Sequence, residues 1–330
     1  MKLAIFTLSG ESSKKIAEEA KNYFEKVDLL DLRKAKVNTN TKNLEVLYQG
    51  NPLEDYDCAY IRGSHKYALL QRAMTEALQD NVYVPLKPKS FTIGHDKFLT
   101  LLELQKNKVP IPTTYLALTV ESAKKVLPKI KFPVIMKIPA GTQGKGVMFA
   151  DSIESANTIL DTLEIFKQPF IIQEYIETGA TDIRAIVANN KVIAAMKRKA
   201  TKEELRANIH MGATGEPYIP SYDTEQIIIK AAKALNTEIC AVDLLEDLTP
   251  KVIEVNTSPG LVGISKATKK NIFRLVAEAL YEGTKTFKEY KKSKDYNQVI
   301  KEISNRKDII TNLEIKAGKI RLPEVLTKIT

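Results

Sequence analysis

Three oxygen-bearing side chains in the last third of the sequence could hold a divalent cation. The segment KVIEVN alternates apolar and polar residues, so a strand there places Glu254 and Asn256 on one face. If the preceding segment AVDLLE forms a hairpin with it, centred just after Leu248, Asp243 lies opposite Glu254. Two carboxylates and an amide are ligands that Mg²⁺ accepts when phosphates fill its other positions. A solvated polar face is the alternative, but the flanking residues are apolar, and an unpaired buried carboxylate is costly.

A glycine-rich stretch, KIPAGTQGKGVMFA, follows the apolar run FPVIM and could bind phosphate. Val147 and Met148 follow Gly146, where a Walker A loop needs Lys and Ser or Thr, so a P-loop is rejected. Phe149 stands where a dinucleotide fingerprint needs its third glycine, so a Rossmann site is rejected too. Two interpretations stay open: a structural turn, or a hairpin whose backbone N–H groups cover phosphate, with Lys137 at its base.

Two further features point to nucleotide and substrate binding. The segment FIIQEYIE offers an apolar strand to an adenine edge and Glu174 to a ribose or amino group, although a plain core strand is the alternative. Guanidinium forks bind carboxylates and phosphates through paired hydrogen bonds, so clustered cations indicate either an anionic substrate or a charged surface. The clustered cations are Arg184, Lys197, Arg198, Lys199 and Arg206. His65, His95 and His210 lack catalytic or metal-ligand spacing, and we expect each to have a satisfied structural role.

Alternating strands and helices must position these residues. KLAIFTL, VDLLDL, DCAYIR and VYVPLKP read as strands, and with the intervening helices they predict a mainly parallel α/β sheet in residues 1–88. A capped helix through GHDKFLTLLELQKNK, stopped by the prolines of VPIP, opens an α+β unit at 89–168 that contains the glycine loop. A hairpin turning at Asn189 and Asn190 belongs to a second unit, residues 169–290, with the metal-binding strands.

Composition excludes several classes of function. The chain has 330 residues, 44% hydrophobic and 27% charged, enough for a large core. No apolar run approaches the roughly 18 residues of a membrane span, and the N-terminus does not resemble a signal peptide, so we expect a cytoplasmic protein. The net charge is +10, and residues 284–330 carry 12 Lys or Arg against 6 Asp or Glu. Because no aromatic residues alternate with these lysines, a basic extension over 291–330 is predicted, rather than nucleic-acid binding. It is either a solvated tail or a segment that attracts an acidic substrate.

The order of these motifs resembles that of the ATP-grasp superfamily and, within it, the RimK family of glutamate ligases. The similarity covers roughly residues 1–290 and rests on HDKFLTLLEL, PVIMKIPAGTQGKGV, IIQEYI, DIRAIV, RANIH and VIEVNTSPGLVGI. It implies an ATP-grasp fold preceded by the N-terminal parallel-sheet domain. It also implies ATP and Mg²⁺ as cofactors, with Mn²⁺ as an alternative metal and two metal ions in the site.

The resemblance assigns a role to each matching residue. Lys97 and Lys137 correspond to the phosphate lysines, and the loop with Gly141, Gln143, Gly144 and Gly146 corresponds to a flap over the phosphates. Glu174 and Tyr175 correspond to the adenine hinge, and Asp182 to a nucleotide contact. Arg206 and Asn208 correspond to active-site groups near the γ-phosphate, and Arg198 to a group that stabilises the oxyanion. Asp243, Glu254 and Asn256 correspond to the metal ligands.

The implied reaction is ATP-dependent joining of an acceptor carboxylate to the α-amine of L-glutamate through an acyl phosphate. The acceptor would be acidic, either a protein C-terminus such as that of a ribosomal protein or a glutamyl cofactor tail, and the enzyme a homo-oligomer. Acceptor specificity stays open, because Arg198-Lys199 and His210-Met211-Gly212-Ala213 depart from the pattern of the ribosome-modifying members. A ligase of another amino acid in lysine or arginine biosynthesis is an alternative, although the absence of tryptophan disfavours the lysine branch. A nucleotide-binding regulatory module without turnover is another.

Overall fold

The computed structural model describes residues 1–138, 146–165, 169–199, 214–304, 314–316 and 319–321. It divides into two compact units, Met1–Gly283 and Thr284–Thr330. Among the described helices, none is both long and apolar enough to cross a membrane. The described part of the first unit contains three short 3₁₀ turns, at Leu32–Lys34, His65–Tyr67 and Leu127–Lys129.

The first unit begins with the predicted parallel sheet. Strand β1 (Lys2–Thr7) lies between β2 (Lys26–Asp31) and β6 (Cys58–Ile61), and both pairings are parallel. Leu3 through Phe6 are fully buried because their strand is central. Helices α1 (Glu11–Ala20) and α2 (Ala68–Leu78) follow β1 and β6.

Three features of this region differ from the sequence-based expectation. The segment VYVPLKP is not a strand, since Tyr83 and Leu86 form only isolated bridges, with Cys58 and Thr237. Proline lacks the N–H that a strand ladder needs, and Pro88 instead starts helix α3 (Pro88–Gly94). Between β2 and β6 the chain also forms an antiparallel sheet that the sequence did not predict. Its strands are β3 (Ala35–Thr39), β4 (Leu44–Tyr48) and β5 (Asn51–Pro52).

The glycine-rich loop belongs to a small antiparallel sheet. Its strand order is β7 (Thr114–Ala117), β10 (Phe170–Glu174), β8 (Val134–Lys137) and β9 (Val147–Ala150). Helices α5 (Val120–Lys124) and α6 (Ile153–Glu164) accompany this sheet, and their buried residues share one apolar cluster with it. Ser152 caps α6 by accepting a hydrogen bond from the amide of Ser155, so local sequence defines the start of this helix.

The largest sheet carries the predicted metal-binding strands. Its order is β13 (Thr214–Pro217), β12 (Lys191–Lys199), β11 (Thr181–Ala188), β14 (Ile239–Leu245) and β15 (Lys251–Asn256). Asn189 and Asn190 join β11 to β12 with φ of 47° and 61°, which confirms the predicted tight turn. Helices α4 (Lys97–Lys106) and α7 (Tyr222–Ala234) pack on one face around buried residues such as Ile183, Val242 and Val255.

Helices α8 (Val262–Thr268) and α9 (Ile272–Ser304) follow the largest sheet. The second unit contains the last part of α9 from Thr284 and a hairpin of β16 (Glu314–Lys316) and β17 (Lys319–Arg321). This unit includes the lysine-rich segment that the sequence singled out.

Candidate active site

A row of charged side chains crosses the face of the largest sheet that lies opposite its apolar cluster. Arg184 on β11 is in register with Asp243 on β14, and Asp243 is in register with Glu254 on β15. The predicted pairing of Asp243 with Glu254 is therefore confirmed. The ladder shifts by one residue after Asp243, and this bulge pairs Leu244 with Val252. Such irregularities re-aim side chains at the point where pairing changes.

Two arginines form hydrogen bonds with the buried carboxylates of this row. Arg184 donates to both oxygens of Asp243, from Nε to Oδ1 at 2.7 Å and from Nη2 to Oδ2 at 2.6 Å. Arg198 donates to both oxygens of Asp182 at 2.6 Å, and its Nη2 lies 3.1 Å from Oδ2 of Asp243. Arg198 and Asp243 are 5% and 4% exposed. These charges are paired side by side, as buried ions must be.

The pKa values along the row diverge with the surroundings of each carboxyl. Burial alone would raise the pKa of Asp243, but Arg184 and Arg198 outweigh it and lower that pKa to about 2. Glu254 lies beyond the reach of these guanidinium forks. Its restricted hydration and the charge of Asp243 raise its pKa, while the charges of Arg184, Lys97 and Lys137 oppose that rise. A further cation beside Glu254 would thus be favourable.

Both predicted phosphate lysines lie near Glu254. Lys137 ends β8, and its Nζ donates to Oε1 of Gln173 at 2.6 Å. Burial lowers the pKa of Lys137 to about 8, against the raising effect of Glu254. Lys97 is the first residue of α4, where Asp96 caps the helix, and its Nζ donates to the carbonyl of Ile138 at 3.4 Å. Burial lowers the pKa of Lys97 as well.

The glycine loop is a hairpin at its base. The amide of Ile138 donates to the carbonyl of Gly146 at 3.3 Å, and Gly146 has φ of +75°, where a side chain would be strained. Strands β8 and β9 are paired antiparallel on either side of this point. Several predicted site residues lie outside the described residues: Gly141, Gln143, Gly144, Arg206 and Asn208.

The predicted adenine hinge is held by its neighbours. Glu174 ends β10, where its Oε1 accepts from Lys251 at 2.8 Å and its Oε2 accepts from the amide of Thr113 at 2.9 Å. Burial raises the pKa of Glu174, but these two donors outweigh it and leave the pKa lowered. Tyr175 packs edge-on against Phe149 of β9, with ring centroids 5.3 Å apart. The hinge thus contacts the strand that leaves the glycine loop.

A cavity of about 130 Å³ adjoins Glu254 and Lys97. The end of β15, the start of α4 and the segment after β6 form its walls. It is lined by Gly63, Ser64, His65, Gly94, His95, Lys97, Thr100, Ile253, Glu254, Asn256 and Ser258.

The two histidines of the cavity were expected to be satisfied structural residues, and one ring nitrogen of each departs from that expectation. Nδ1 of His65 and Nε2 of His95 are buried and have no hydrogen-bond partner among the described residues. Leaving such a group unpaired costs about 1–3 kcal/mol. Burial and the proximity of His65 lower the pKa of His95 to about 4. The hint in the sequence was that His95 lies two residues before Lys97, a predicted phosphate lysine.

Two of the three predicted metal ligands line the cavity. Glu254 and Asn256 line it with the hard oxygen donors that Mg²⁺ requires. Asp243 is adjacent to Glu254, but both of its oxygens accept from Arg184. No group of three or more His, Cys, Asp or Glu side chains within the described part of the chain is arranged to hold a metal. The residues therefore fit a Mg²⁺ held by Glu254 and Asn256, with phosphate oxygens as further ligands.

Comparison with known proteins identifies the family of the chain. A family model described as a RimK-like ATP-grasp domain matches residues 94–280, more than half of the chain. A relative from Mannheimia succiniciproducens, named probable alpha-L-glutamate ligase, is 34% identical over 78% of this chain and 89% of its own length. A relative of the same name from Vibrio cholerae is 31% identical over 84% of this chain and 94% of its own.

Solved structures share the fold. The ATP-grasp ligase PsnB, complexed with a minimal precursor, Mg and ADP, has a TM-score of 0.67 at 16% identity over 86% of this chain and 98% of PsnB. A RimK domain ATP-grasp protein from Sphaerobacter thermophilus has a TM-score of 0.66 at 16% identity over 84% and 99%. The D-alanine–D-alanine ligase from Bacillus anthracis, complexed with ATP, gives 0.59 at 14% identity over 88% and 99%. The predicted fold class is confirmed.

The fold, the family model and the curated relatives agree, so the resemblance inferred from the motifs is confirmed. The chain belongs to the RimK family of ATP-grasp ligases, enzymes that use ATP to join a carboxylate to an amine as an amide.

Proposed function

We propose that this enzyme joins an acidic acceptor to the α-amine of L-glutamate, after activating the acceptor carboxylate as an acyl phosphate. The observation that carries the proposal is the convergence of Lys97, Glu254 and Asn256 on one small cavity, with Lys137 close to Glu254. Cations and hard oxygen ligands together suit the triphosphate of Mg·ATP. The names of the curated relatives support glutamate as the amino acid.

The residues in and near the cavity would have two roles, phosphate binding and metal binding. Lys97 and Lys137 would hold the phosphates from opposite elements, α4 and β8, while Glu254 and Asn256 hold Mg²⁺, which neutralises phosphate charge when bound. The carboxylate of the acceptor attacks the γ-phosphate, and ADP leaves. The α-amine of glutamate then displaces phosphate from the acyl phosphate, and an amide forms. The hairpin at Gly146 would cover the phosphates and exclude water from the acyl phosphate.

Arg198 was predicted to stabilise the oxyanion that forms in the second step. In the structure its Nε and Nη2 are already engaged by Asp182 and Asp243. We propose that Arg198 acts first as a positioning residue, because it fixes the two carboxylates of adjacent strands. Its oxyanion role, and the roles of Arg206 and Asn208, stay predictions.

The acceptor is proposed to be a peptide or peptide-like chain that ends in a carboxylate. Among the structural neighbours, PsnB has been solved with a precursor peptide and AMPPNP, and the macrocyclase MdnC with its precursor peptide. These ligands belong to those proteins, and they support an elongated acceptor for this fold. A negatively charged acceptor also suits the excess of Lys and Arg in the chain.

The test is mass spectrometry of acetylated peptides incubated with the enzyme, Mg·ATP and L-glutamate. The blocked amine of each peptide lets it act only as the acceptor. The panel contains acetyl-glutamyl-glutamate and matched peptides ending in alanine or lysine. A gain of one or more glutamyl residues, dependent on ATP and strongest for the acidic peptide, is expected. Equal extension with other amino acids, or no extension of any peptide, would contradict the proposal.

A further inference from the structure

We propose that His65 and His95 form the binding site for the acceptor carboxylate and determine acceptor specificity. The two imidazoles line the same cavity as Lys97, Glu254 and Asn256, and each has a buried ring nitrogen without a partner among the described residues. The inference rests on the proposed function, and it adds which substrate occupies this cavity and which side chains hold it.

The size of the cavity limits what can enter it. Drug-sized ligands occupy pockets of roughly 300–1,000 Å³. The cavity measures about 130 Å³, so it can receive a small group at the end of a substrate but not a nucleotide. The end of β15 contributes Glu254 and Asn256 to its lining, and the terminal phosphate would lie next to them. The group that must meet that phosphate first is the acceptor carboxylate, since the amine reacts only after the carboxylate has been activated.

The charges of the cavity suit such a group. Lys97 and Glu254 are the lysine and the carboxyl side chain among the described residues that line it, and the charge of Glu254 is the one that a metal ion would balance. The imidazoles add ring N–H donors without a permanent charge. A carboxylate accepts hydrogen bonds in several directions, so it can pair with N–H groups of both rings and with Lys97.

Both histidines sit on backbone that the surrounding structure fixes. Gly94 precedes His95, and a Cβ on Gly94 would come within 2.6 Å of Cγ2 of Thr257. On the other wall, the amide of Gly63 donates to Oγ of Ser258 at 3.2 Å.

Arg62 strengthens this second anchor. Its Nη2 donates to the carbonyl of Pro259 at 2.6 Å. The turn that follows the metal-binding strand thus holds the segment bearing His65, and the two walls of the cavity are set at a defined spacing. Such support is what a recognition site needs if it is to distinguish acceptors.

The experiment measures the KM of acetyl-glutamyl-glutamate, of L-glutamate and of ATP for the full-length enzyme and its variants. His65→Leu and His95→Leu remove the ring nitrogens. His65→Asn and His95→Gln keep a nitrogen near the position of Nδ1 and Nε2, respectively. Each leucine variant should raise the KM of the peptide roughly tenfold, the value of about one lost hydrogen bond. The KM of glutamate and that of ATP should stay within twofold, and the amide variants should recover part of the loss.

Asn157→Leu is the matched control, because Asn157 also has a buried side-chain oxygen without a partner among the described residues but does not line the cavity. We expect its KM values to be unchanged. Binding of Mg·ADP, followed by calorimetry, shows that each variant is folded. An unchanged peptide KM in both leucine variants, or a rise in the KM of glutamate instead, would overturn the histidine assignment alone. No ADP formation by the wild-type enzyme with the peptide and glutamate would contradict the proposed function, and the assignment that rests on it.

Discussion

The charged row on the largest sheet and the cavity beside it are built from similar side chains but differ in how those side chains are paired. In the row, Asp182 and Asp243 receive forked hydrogen bonds from Arg198 and Arg184. In the cavity, Glu254 lies beyond those forks and two imidazole nitrogens have no partner among the described residues. Paired buried charges fix positions, whereas polar groups left unpaired around a cavity have capacity for a ligand. The difference separates the part of the site that supports its structure from the part that we propose binds substrate.

The largest expected effect comes from removing the negative charge of Glu254, the carboxylate that lines the cavity. Glu254→Gln should lower ADP formation with glutamate and an acidic acceptor by about 10²–10³-fold, as loss of one group that stabilises transition-state charge does. The fold should survive, because glutamine also removes the repulsion between Glu254 and Asp243. Turnover and thermal unfolding of the same preparation check both statements.

Glu246→Gln is the control for this variant, because Glu246 accepts from Lys197 at 2.5 Å and does not line the cavity. It should leave turnover close to that of the wild type. Wild-type turnover in Glu254→Gln itself would exclude Glu254 as a metal ligand.

In the charged row, by contrast, we expect the loss of a charge to lower the free energy of unfolding. Arg184→Met leaves Asp243 buried with Arg198 alone, and breaking a buried pair on one side costs about 3–5 kcal/mol. Urea unfolding at pH 7 measures this loss. Lys124→Met, which breaks the exposed pair with Asp161, should change the free energy of unfolding very little.

The same pair predicts a pH dependence. The pKa of Asp243 is lowered to about 2 in the folded protein, below its ordinary value of 3.8. The stabilisation from its ionised form is therefore complete above about pH 4 and is lost as the pH falls toward 2. The difference in stability between the wild type and Arg184→Met should shrink over that range. A difference that is constant from pH 5 to pH 2 would show that Arg184 stabilises the protein by packing alone.

A smaller effect should follow from the charge of Lys137. Its pKa is lowered to about 8, so about half of the lysine is unprotonated at pH 8 before nucleotide binds. Phosphates favour the charged form, and nucleotide binding should therefore take up a fraction of a proton at that pH. Calorimetry in two buffers of different ionisation enthalpy measures this uptake, and Lys137→Met should abolish it. Equal binding enthalpies for the wild type in both buffers would contradict phosphate contact by Lys137.

Local patterns were sufficient to predict much of this site. The positive φ of Asn189 and Asn190, the capped helix within GHDKFLTLLELQKNK and the register of Asp243 with Glu254 each follow from residues close in sequence. Features that depend on distant segments were not predicted. The fork of Arg184 on Asp243 requires β11 and β14 to be neighbours, and no periodicity says which strands of a sheet are adjacent.

The two histidines of the cavity likewise could not be predicted from local sequence. His65 and His95 meet because the segment after β6 is tied to Ser258, 195 residues further along the chain. Neither residue has metal or catalytic spacing in the sequence, so their shared cavity emerges only from tertiary contacts. The prediction of a strand at VYVPLKP was wrong for a related reason. Its apolar residues suggested a continuous strand, but the segment forms only isolated bridges at Tyr83 and Leu86, and Pro85 and Pro88 lack the N–H that a ladder needs.

The smallest expected effect concerns Glu174. Its two carboxylate oxygens both accept hydrogen bonds, as those of Asp182 and Asp243 do, but its side chain is partly exposed. Lys251→Met removes the donor to Oε1 and leaves the amide of Thr113 on Oε2. An exposed or half-exposed pair contributes less than about 1 kcal/mol, so stability should hardly change and Mg·ATP affinity should fall by at most about fivefold. Lys124→Met is again the control, and neither its stability nor its nucleotide affinity should change. If Lys251→Met bound nucleotide as tightly as the wild type, the carboxylate of Glu174 would not need its present orientation, and the hinge would act through the backbone of β10 alone.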